Sequence, residues 1–281
     1  MIELGANRYG KAAIRLVRVM RGANGHGLRD LTVAIALEGA FETAHTDGDN
    51  SMVVATDTMK NTAYAFAKNH LDASIEHYGR ALAEHFLEAP QVDAATVNIR
   101  AHHWSAIDVA GTPAPDAFVR GGEGTRVATV RATRGGTSVE AGVEDLVVMK
   151  TTRSGFSGFP RDRYTTLPET DDRLMATRIT AIWRYGSPDL DADATFAAVR
   201  STLLEVFADH DSPSVQTSIW IMARAILERH DEVEEVRMVL PNLHHWLVDL
   251  SPFGLTNDRE IYTPTTEPHG LIEATVRRGE G

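Results

Sequence analysis

The order of strand-like and helix-like patterns occurs twice along this chain, and this repetition restricts the fold more than any other feature. Alternation of apolar and polar residues predicts strands, and apolar residues at helical spacing predict helices. In the first half the predicted strands and helices, in order, are strands 13–19 and 32–38, helices 58–69 and 73–88, and strands 95–104, 116–120, 125–134 and 142–152. In the second half they are strand 174–185, helices 192–208 and 214–230, and strands 233–240 and 245–250.

This repetition predicts a duplicated α+β fold. A repeated order of elements is typical of a supersecondary module used twice, here residues 1–135 and 136–281. Turn residues join successive strands at short spacing, as at 21–25. We therefore expect hairpins and antiparallel sheets, with a pair of helices covering one face of each sheet. The short motif His-His-Trp occurs at 102–104 and again at 244–246, which fits the same duplication.

Charge and composition exclude several classes of partner. The chain has 281 residues, of which 43% are hydrophobic, so it can bury a substantial core. Its formal net charge of -11 argues against a nucleic-acid or anionic-membrane partner, because either requires a basic surface. An acidic protein also repels an anionic substrate, so an anion must be captured by local donors such as Arg173.

The ends of the sequence and its lack of cysteine predict a location and limit the chemistry. The N-terminus lacks the apolar stretch of a secretory signal, the C-terminus lacks a Ser-Lys-Leu tripeptide, and no apolar run approaches the ~20 residues of a membrane span. We therefore expect a cytoplasmic bacterial protein. Because the chain contains no cysteine, disulfides, thiol catalysis, iron–sulfur clusters and cysteine-bound zinc are excluded.

Glycine and histidine patterns do not predict a nucleotide or metal cofactor. The glycines at 121–124 and 134–137 are interpreted as hairpin tips, since no Gly-x-Gly-x-x-Gly follows a strand. The pairs His102-His103 and His244-His245 are interpreted as strand residues, whose side chains point to opposite faces. They would not chelate one ion together, so no metal site is predicted.

The segment 156–173 carries the strongest signal of a binding site. It places Phe156 on a glycine-punctuated loop and ends with Arg173 after two aspartates. An aromatic ring can stack on a flat ligand, and a planar guanidinium can bind its oxygens in a bidentate manner. The residues alone also fit a core-edge phenylalanine and a surface ion pair.

Four further segments bear on the function: 9–11, 53–62, 212–216 and 240–246. Thr56 and Asp57 precede a helical pattern, and Val215 and Gln216 follow Pro213 and Ser214, so both segments also fit helix capping. A helix N-terminus nevertheless offers free N–H groups to an anion. Taken together and in this order, the five segments resemble urate oxidase (uricase), and the resemblance extends over nearly the whole chain.

The resemblance implies a fold, an assembly and a reaction. The fold is the tunnelling fold (T-fold), in which duplicated subunits pair their sheets into a barrel and form a homotetramer whose active sites are shared between subunits. The reaction converts urate, O₂ and water into 5-hydroxyisourate and hydrogen peroxide, without a metal or flavin.

The resemblance also implies roles for individual residues. Lys11 matches the family's catalytic lysine, which works through Thr56 and His244. Such a relay is physically reasonable, because a desolvated lysine loses its proton readily and a threonine hydroxyl both donates and accepts. The implied contacts with urate are stacking on Phe156, a clamp by Arg173, the Val215 N–H and the Gln216 amide, oxygen placement by Asn242, and contacts from Thr56 and Asp57 of the neighbouring subunit.

Two alternatives follow from the same fold. One is another T-fold enzyme acting on a purine or pterin, of the cyclohydrolase or aldolase type. Such enzymes typically anchor the ligand with a glutamate, and cyclohydrolases also require zinc ligands, so Gln216 and the absence of cysteine argue against them. The other is an assembly protein that keeps the fold and tetramer without turnover.

Overall fold

A computed structural model describes residues 2–23, 25–122, 124–265 and 267–279. The chain divides into two compact units: Met1–Gly142 with Arg184–Phe196, and Val143–Trp183 with Ala197–Gly281. The predicted module boundary at 135/136 stays a prediction. In the described residues no helix is both long and apolar enough to cross a membrane.

The first unit combines antiparallel strands with a pair of long helices. Its strands are β1 (Tyr9–Gly22), β2 (Gly25–Gly39), β3 (Val92–His102), β4 (Trp104–Val109), β5 (Thr112–Arg120), β6 (Thr125–Thr133) and the start of β7 (Gly136–Lys150). Its helices are α1 (Glu42–Thr46), α2 (Thr56–His70) and α3 (Ile75–Leu87). The strand order is β1-β2-β3-β6-β7, while β4 and β5 pair separately as a two-stranded ribbon.

The second unit repeats this plan. Its elements are the rest of β7, β8 (Met175–Tyr185), α4 (Ala192–Asp209), α5 (Val215–Arg229), β9 (Val233–Leu243), β10 (His245–Leu247), β11 (Tyr262–Pro264) and β12 (Gly270–Arg277). β7, β8 and α4 each have residues in both units. The strand order here is β7-β8-β9-β12, and β10 pairs antiparallel with β11.

The amphipathic stripes explain why the long helices form where they do. Met59 and Ala63 of α2 are buried, as are Ile75, Tyr78 and Leu82 of α3. The Tyr78 hydroxyl also donates a 2.7 Å hydrogen bond to the Ala63 carbonyl oxygen, which fixes α3 against α2. In α5 the predicted apolar positions are likewise buried: Ile219, Met222, Ile226 and Leu227. The predicted antiparallel α+β class and the four long helices are therefore confirmed.

Several predicted strand boundaries are wrong. The strand predicted at 95–104 ends at His102, because β3 pairs with β6 whereas β4 pairs with β5. The predicted hairpin tip at 121–124 includes Glu123 and the predicted 21–25 turn includes Asn24, and both residues lie outside the described residues. The strands β5 and β6, on either side of 121–124, do not pair with each other. The strand predicted at 245–250 ends at Leu247, and a 3-10 turn containing Pro252 follows at Ser251–Phe253.

The histidine interpretation also needs correction. His103 lies between β3 and β4, and His244 lies between β9 and β10, so neither histidine pair lies within a single strand. In the described part of the chain, no three His, Asp or Glu side chains are grouped so that they could hold a metal ion.

Candidate active site

A cavity of about 720 Å³ in the second unit contains six of the nine predicted site residues. It lies where the loops before β8 and α5 meet the turn between β9 and β10. The six predicted residues that line it are Phe156, Arg173, Val215, Gln216, Asn242 and His244.

A backbone network fixes the loop residues of this cavity. The Phe156 N–H donates to the Thr170 carbonyl at 2.7 Å, and the Thr170 N–H returns a bond at 3.0 Å. The Gly155 N–H donates to the Ser212 carbonyl at 2.8 Å, so the same loop is attached to the segment that leads into α5. One short stretch of backbone thus positions the aromatic ring relative to the start of this helix.

Arg173 is the most unusual polar residue of the cavity. Its guanidinium lies 5.5 Å from the centre of the Phe156 ring, and its Nε is buried without a hydrogen-bond partner. Burial lowers the pKa of Arg173, although a guanidinium remains charged at neutral pH. No carboxylate pairs with it in the part of the chain that the structure describes. Arg173 is half-buried, and a guanidinium that is partly desolvated and has no partner favours a bound anion, so Arg173 marks an anion site.

The N-terminus of α5 adds donors to the cavity. The Ser214 hydroxyl accepts a 3.2 Å hydrogen bond from the Thr217 N–H, so Ser214 is the N-cap. Val215 and Gln216 are the first two helical residues and both line the cavity. Their N–H groups lie in the first turn, where no intrahelical carbonyl can accept from them, and this end of a helix favours negative charge.

His244 lines the same cavity from the break between β9 and β10. Its ring stacks on that of Trp246, with centroids 5.4 Å apart and an interplanar angle of 20°. Desolvation lowers the pKa of His244, and the positive charges of Arg173 and His269 lower it further. The imidazole is therefore neutral at neutral pH, so its ring nitrogens can both donate and accept a proton.

The other three predicted residues belong to the first unit, where one side-chain clamp joins their two segments. The Tyr9 hydroxyl accepts from the Val54 N–H at 2.7 Å and donates to the Val54 carbonyl at 3.2 Å. This clamp ties the start of β1, which carries Lys11, to the segment before α2, which begins at Thr56.

The same segments show two further features. Asp57 bonds to Lys60 and accepts from the Asn61 amide at 2.9 Å. The Lys60 bond is the main cause of the lowered pKa of Asp57, and the positive charge of Lys11 adds to it. The capping interpretation of Thr56 and Asp57 is wrong, because the N-cap of α2 is Ala55 and no side chain caps this helix.

The backbone at Lys11 is irregular. The register of β1 against β2 shifts between Lys11 and Ile14, and Ala13 has a φ of 56°, in the left-handed region. Such a bulge changes the direction in which neighbouring side chains point and is over-represented beside active sites. Gly10 precedes it and lies so close to β2 that an added Cβ would meet the Ile35 carbonyl oxygen at 1.9 Å.

Sequence reasoning missed other residues of the cavity. These residues include Trp246, Tyr262 and Arg259. The Arg259 guanidinium lies 3.5 Å from the Asp172 carboxylate. The repeated His-His-Trp motif was a signal for Trp246. Nothing local marked Tyr262, because its position depends on the pairing of Leu247 with Tyr262 in β10 and β11.

Comparison with known proteins identifies the family. The family model described as Uricase matches residues 7–131 and 139–273. The uricase of Arthrobacter globiformis is 44% identical over 99% of this chain and 90% of that protein, and the uricase of Dictyostelium discoideum is 39% identical over 99% and 98%. The crystal structure of the Arthrobacter globiformis uricase superposes with a TM-score of 0.95, covering 100% of this chain and 96% of that one. The chain therefore belongs to the uricase family.

Proposed function

We propose that this protein is an oxidoreductase that converts urate, O₂ and water into 5-hydroxyisourate and hydrogen peroxide. The observation that carries the proposal is the half-buried, unpaired guanidinium of Arg173 beside the Phe156 ring, in a member of the uricase family. Urate is a flat anion with carbonyl oxygens at its edge, so it matches a ring to stack on and a forked donor to bind.

Four residues hold the substrate in this proposal. Arg173 binds the pyrimidine-ring side in a bidentate manner, and Phe156 stacks on the purine face. The Gln216 side-chain amide binds an edge of urate that presents a carbonyl beside an N–H, because the amide can donate to the carbonyl and accept from the N–H. The Val215 N–H binds another ligand atom from the N-terminus of α5. All four residues line the same cavity, which supports their assignment to one ligand.

Proton removal is assigned to Lys11, Thr56 and His244. The urate dianion is electron-rich and easily oxidised, so the protein's task is to take the second proton, orient the dianion and place O₂ above it. Thr56 passes the proton between a bound water and the Lys11 amine, while the neutral His244 imidazole orients that amine. Asn242 and Thr56 hold O₂ or water over the ring. The Tyr9–Val54 clamp supports this arrangement, since it ties together the segments that carry Lys11 and Thr56.

The assembly is part of the same proposal. Thr56 and Asp57 reach urate from a neighbouring subunit, in a homotetramer with shared active sites, and no metal or flavin takes part. The cytoplasmic location stays a prediction. The cyclohydrolase, aldolase and assembly-protein alternatives are not favoured, because the chain matches uricases over nearly its full length.

The first experiment measures urate loss and peroxide formation by purified protein that has been treated with a chelator and checked for flavin. We expect one peroxide per urate and no need for added metal. Lys11→Met should lower kcat by about 100-fold or more, since general-base catalysis contributes 10²–10⁴-fold, while anaerobic urate binding persists. Unchanged turnover in this variant would rule out the relay, and dependence on added metal would rule out the cofactor-free reaction.

A complementation experiment tests the shared site. Lys11→Met and Arg173→Ala each leave one half of the site defective. Tetramers containing both variants should regain activity, because the intact Lys11 of one subunit then meets the intact Arg173 of another. If each site forms within one chain, the mixed tetramers stay as inactive as either variant alone.

A further inference from the structure

The Phe156 ring is backed by a second aromatic ring. The centroids of Phe156 and Phe159 are 4.9 Å apart, and the two rings are nearly parallel, with an interplanar angle of 14°. Phe156 lines the cavity, whereas Phe159 is not among its lining residues. Phe159 is therefore stacked on Phe156 without itself lining the cavity.

The loop between them is built to bring the two rings together. Gly158 has a φ of 72°, a conformation that favours glycine, and its N–H donates to the Glu169 carboxylate at 3.2 Å. The paired backbones of Phe156 and Thr170 close the loop at its base. The chain turns back at Gly158, and residue 159 is thereby placed over residue 156.

Each of the two rings also has a guanidinium group close to it. The Arg161 guanidinium lies 5.8 Å from the centre of the Phe159 ring. Arg161 also donates a 3.3 Å hydrogen bond to the carbonyl of Leu167, which lines the cavity. The Arg173 guanidinium lies 5.5 Å from the centre of the Phe156 ring. The contact between the rings and the contact of each ring with a guanidinium are attractive and restrict the motion of both rings.

We infer that Phe159 is a positioning residue that holds the Phe156 ring in the orientation required for stacking on the substrate. This inference rests on the proposed function, in which urate stacks on Phe156. Phe159 does not touch the substrate, so its loss should weaken binding without changing the chemical step. If the Phe156 ring becomes ordered only when the ligand binds, the entropy lost in ordering it lowers the affinity; a ring that is already ordered avoids this loss.

The experiment compares Phe159→Leu, Phe159→Tyr and Tyr164→Ala with the unsubstituted protein. Tyr164 is a matched control, because it is an aromatic residue of the same loop that is 72% exposed and lies outside the stack. The measurements are the Kd of urate under anaerobic conditions, and KM and kcat in air. Phe159→Leu should raise Kd and KM by about 2- to 10-fold, as expected for a lost aromatic pair, with kcat within about 2-fold.

Phe159→Tyr should restore Kd and KM, because a tyrosine ring stacks equally well, and Tyr164→Ala should leave them unchanged. The inference is overturned if Phe159→Leu keeps the original Kd, or if it lowers kcat instead. It is also overturned if Tyr fails to rescue binding. If Phe159→Leu does not fold, Phe159→Met carries the same test with a more adaptable side chain. Failure of the unsubstituted protein to bind or oxidise urate would instead overturn the proposed function.

Discussion

The backbone N–H of Arg173 donates a 2.7 Å hydrogen bond to the carbonyl oxygen of Ser154. Ser154 is buried and bridges to Ser212, two residues before the N-cap of α5. The guanidinium, the Phe156 loop and the start of α5 therefore share one backbone framework. Such a framework holds binding groups in place before the ligand arrives, which lowers the entropy lost on binding.

Replacement of Arg173 should weaken urate binding even when the new residue is lysine. Arg173→Lys keeps the charge but loses the planar fork, and lysine cannot make two parallel hydrogen bonds to one ligand edge. Because a hydrogen bond to a charged group contributes about 1.5–3 kcal/mol, we expect anaerobic urate binding to weaken by about 10- to 100-fold. Arg178→Lys is the control, since Arg178 is exposed and its guanidinium makes only a long ion pair of 4.0 Å with the Asp145 carboxylate. Equal binding by both variants would contradict the clamp.

Gly10 should be required for both stability and turnover. In Gly10→Ala the new methyl group would overlap the Ile35 carbonyl, so β1 must move away from β2. We expect a loss of about 1–3 kcal/mol in the free energy of unfolding, as for other overpacked sites. We also expect a lower kcat, because Lys11 moves with the strand. Gly5→Ala has no atom within 4 Å of the added Cβ and serves as control. A stable, fully active Gly10→Ala variant would contradict this account.

The long helices could be predicted from the sequence because their signals are local, whereas the candidate site residues were expected from the family resemblance. Apolar spacing marks α2, α3 and α5, and the cap at Ser214 marks the helix end that carries Val215 and Gln216. The strand β12 was missed, although Ile272, Ala274 and Val276 alternate along it. Its placement depends on pairing with β9, some thirty residues earlier in the chain, and this pairing leaves little trace in a short window.

The details that matter most for chemistry were less accessible from the sequence. The bulge after Lys11 results from a register shift between two strands, and no residue type announces it. The stacking of Phe159 on Phe156 depends on the positive φ of Gly158, which a glycine permits but does not require. Likewise, the unpaired state of Arg173 is a property of its surroundings, and the residues of this segment taken alone favoured a surface ion pair.

His210 should make stability fall below neutral pH. Burial lowers its pKa, and the charges of Lys150 and Arg153 lower it further, against the effect of the Val206 carbonyl. The unfolded chain therefore binds a proton near pH 6.5 that the folded chain takes up only at lower pH. Stability is fully present above about pH 6.5 and is lost as pH falls through this window.

The measurement for His210 is the Tm between pH 7 and 5. His210→Gln should show a smaller decrease in Tm over this range than the unsubstituted protein, because glutamine does not titrate. His102 and His244 also have lowered pKa values and contribute in the same direction, so part of the slope remains. An unchanged slope in His210→Gln would contradict the prediction.

A comparison of two N-cap serines separates the role of the α5 N-terminus in substrate binding from its contribution to the stability of the protein. Ser214 caps α5 and Ser74 caps α3, each accepting from the N–H three residues later, at 3.2 and 3.1 Å. Replacing either with alanine should lower the free energy of unfolding by about 1 kcal/mol. Only Ser214→Ala should also raise KM for urate, because only the first turn of α5 lines the cavity. Denaturant unfolding and initial-rate measurements on both variants test this, and equal KM values would show that the α5 N-terminus does not bind substrate.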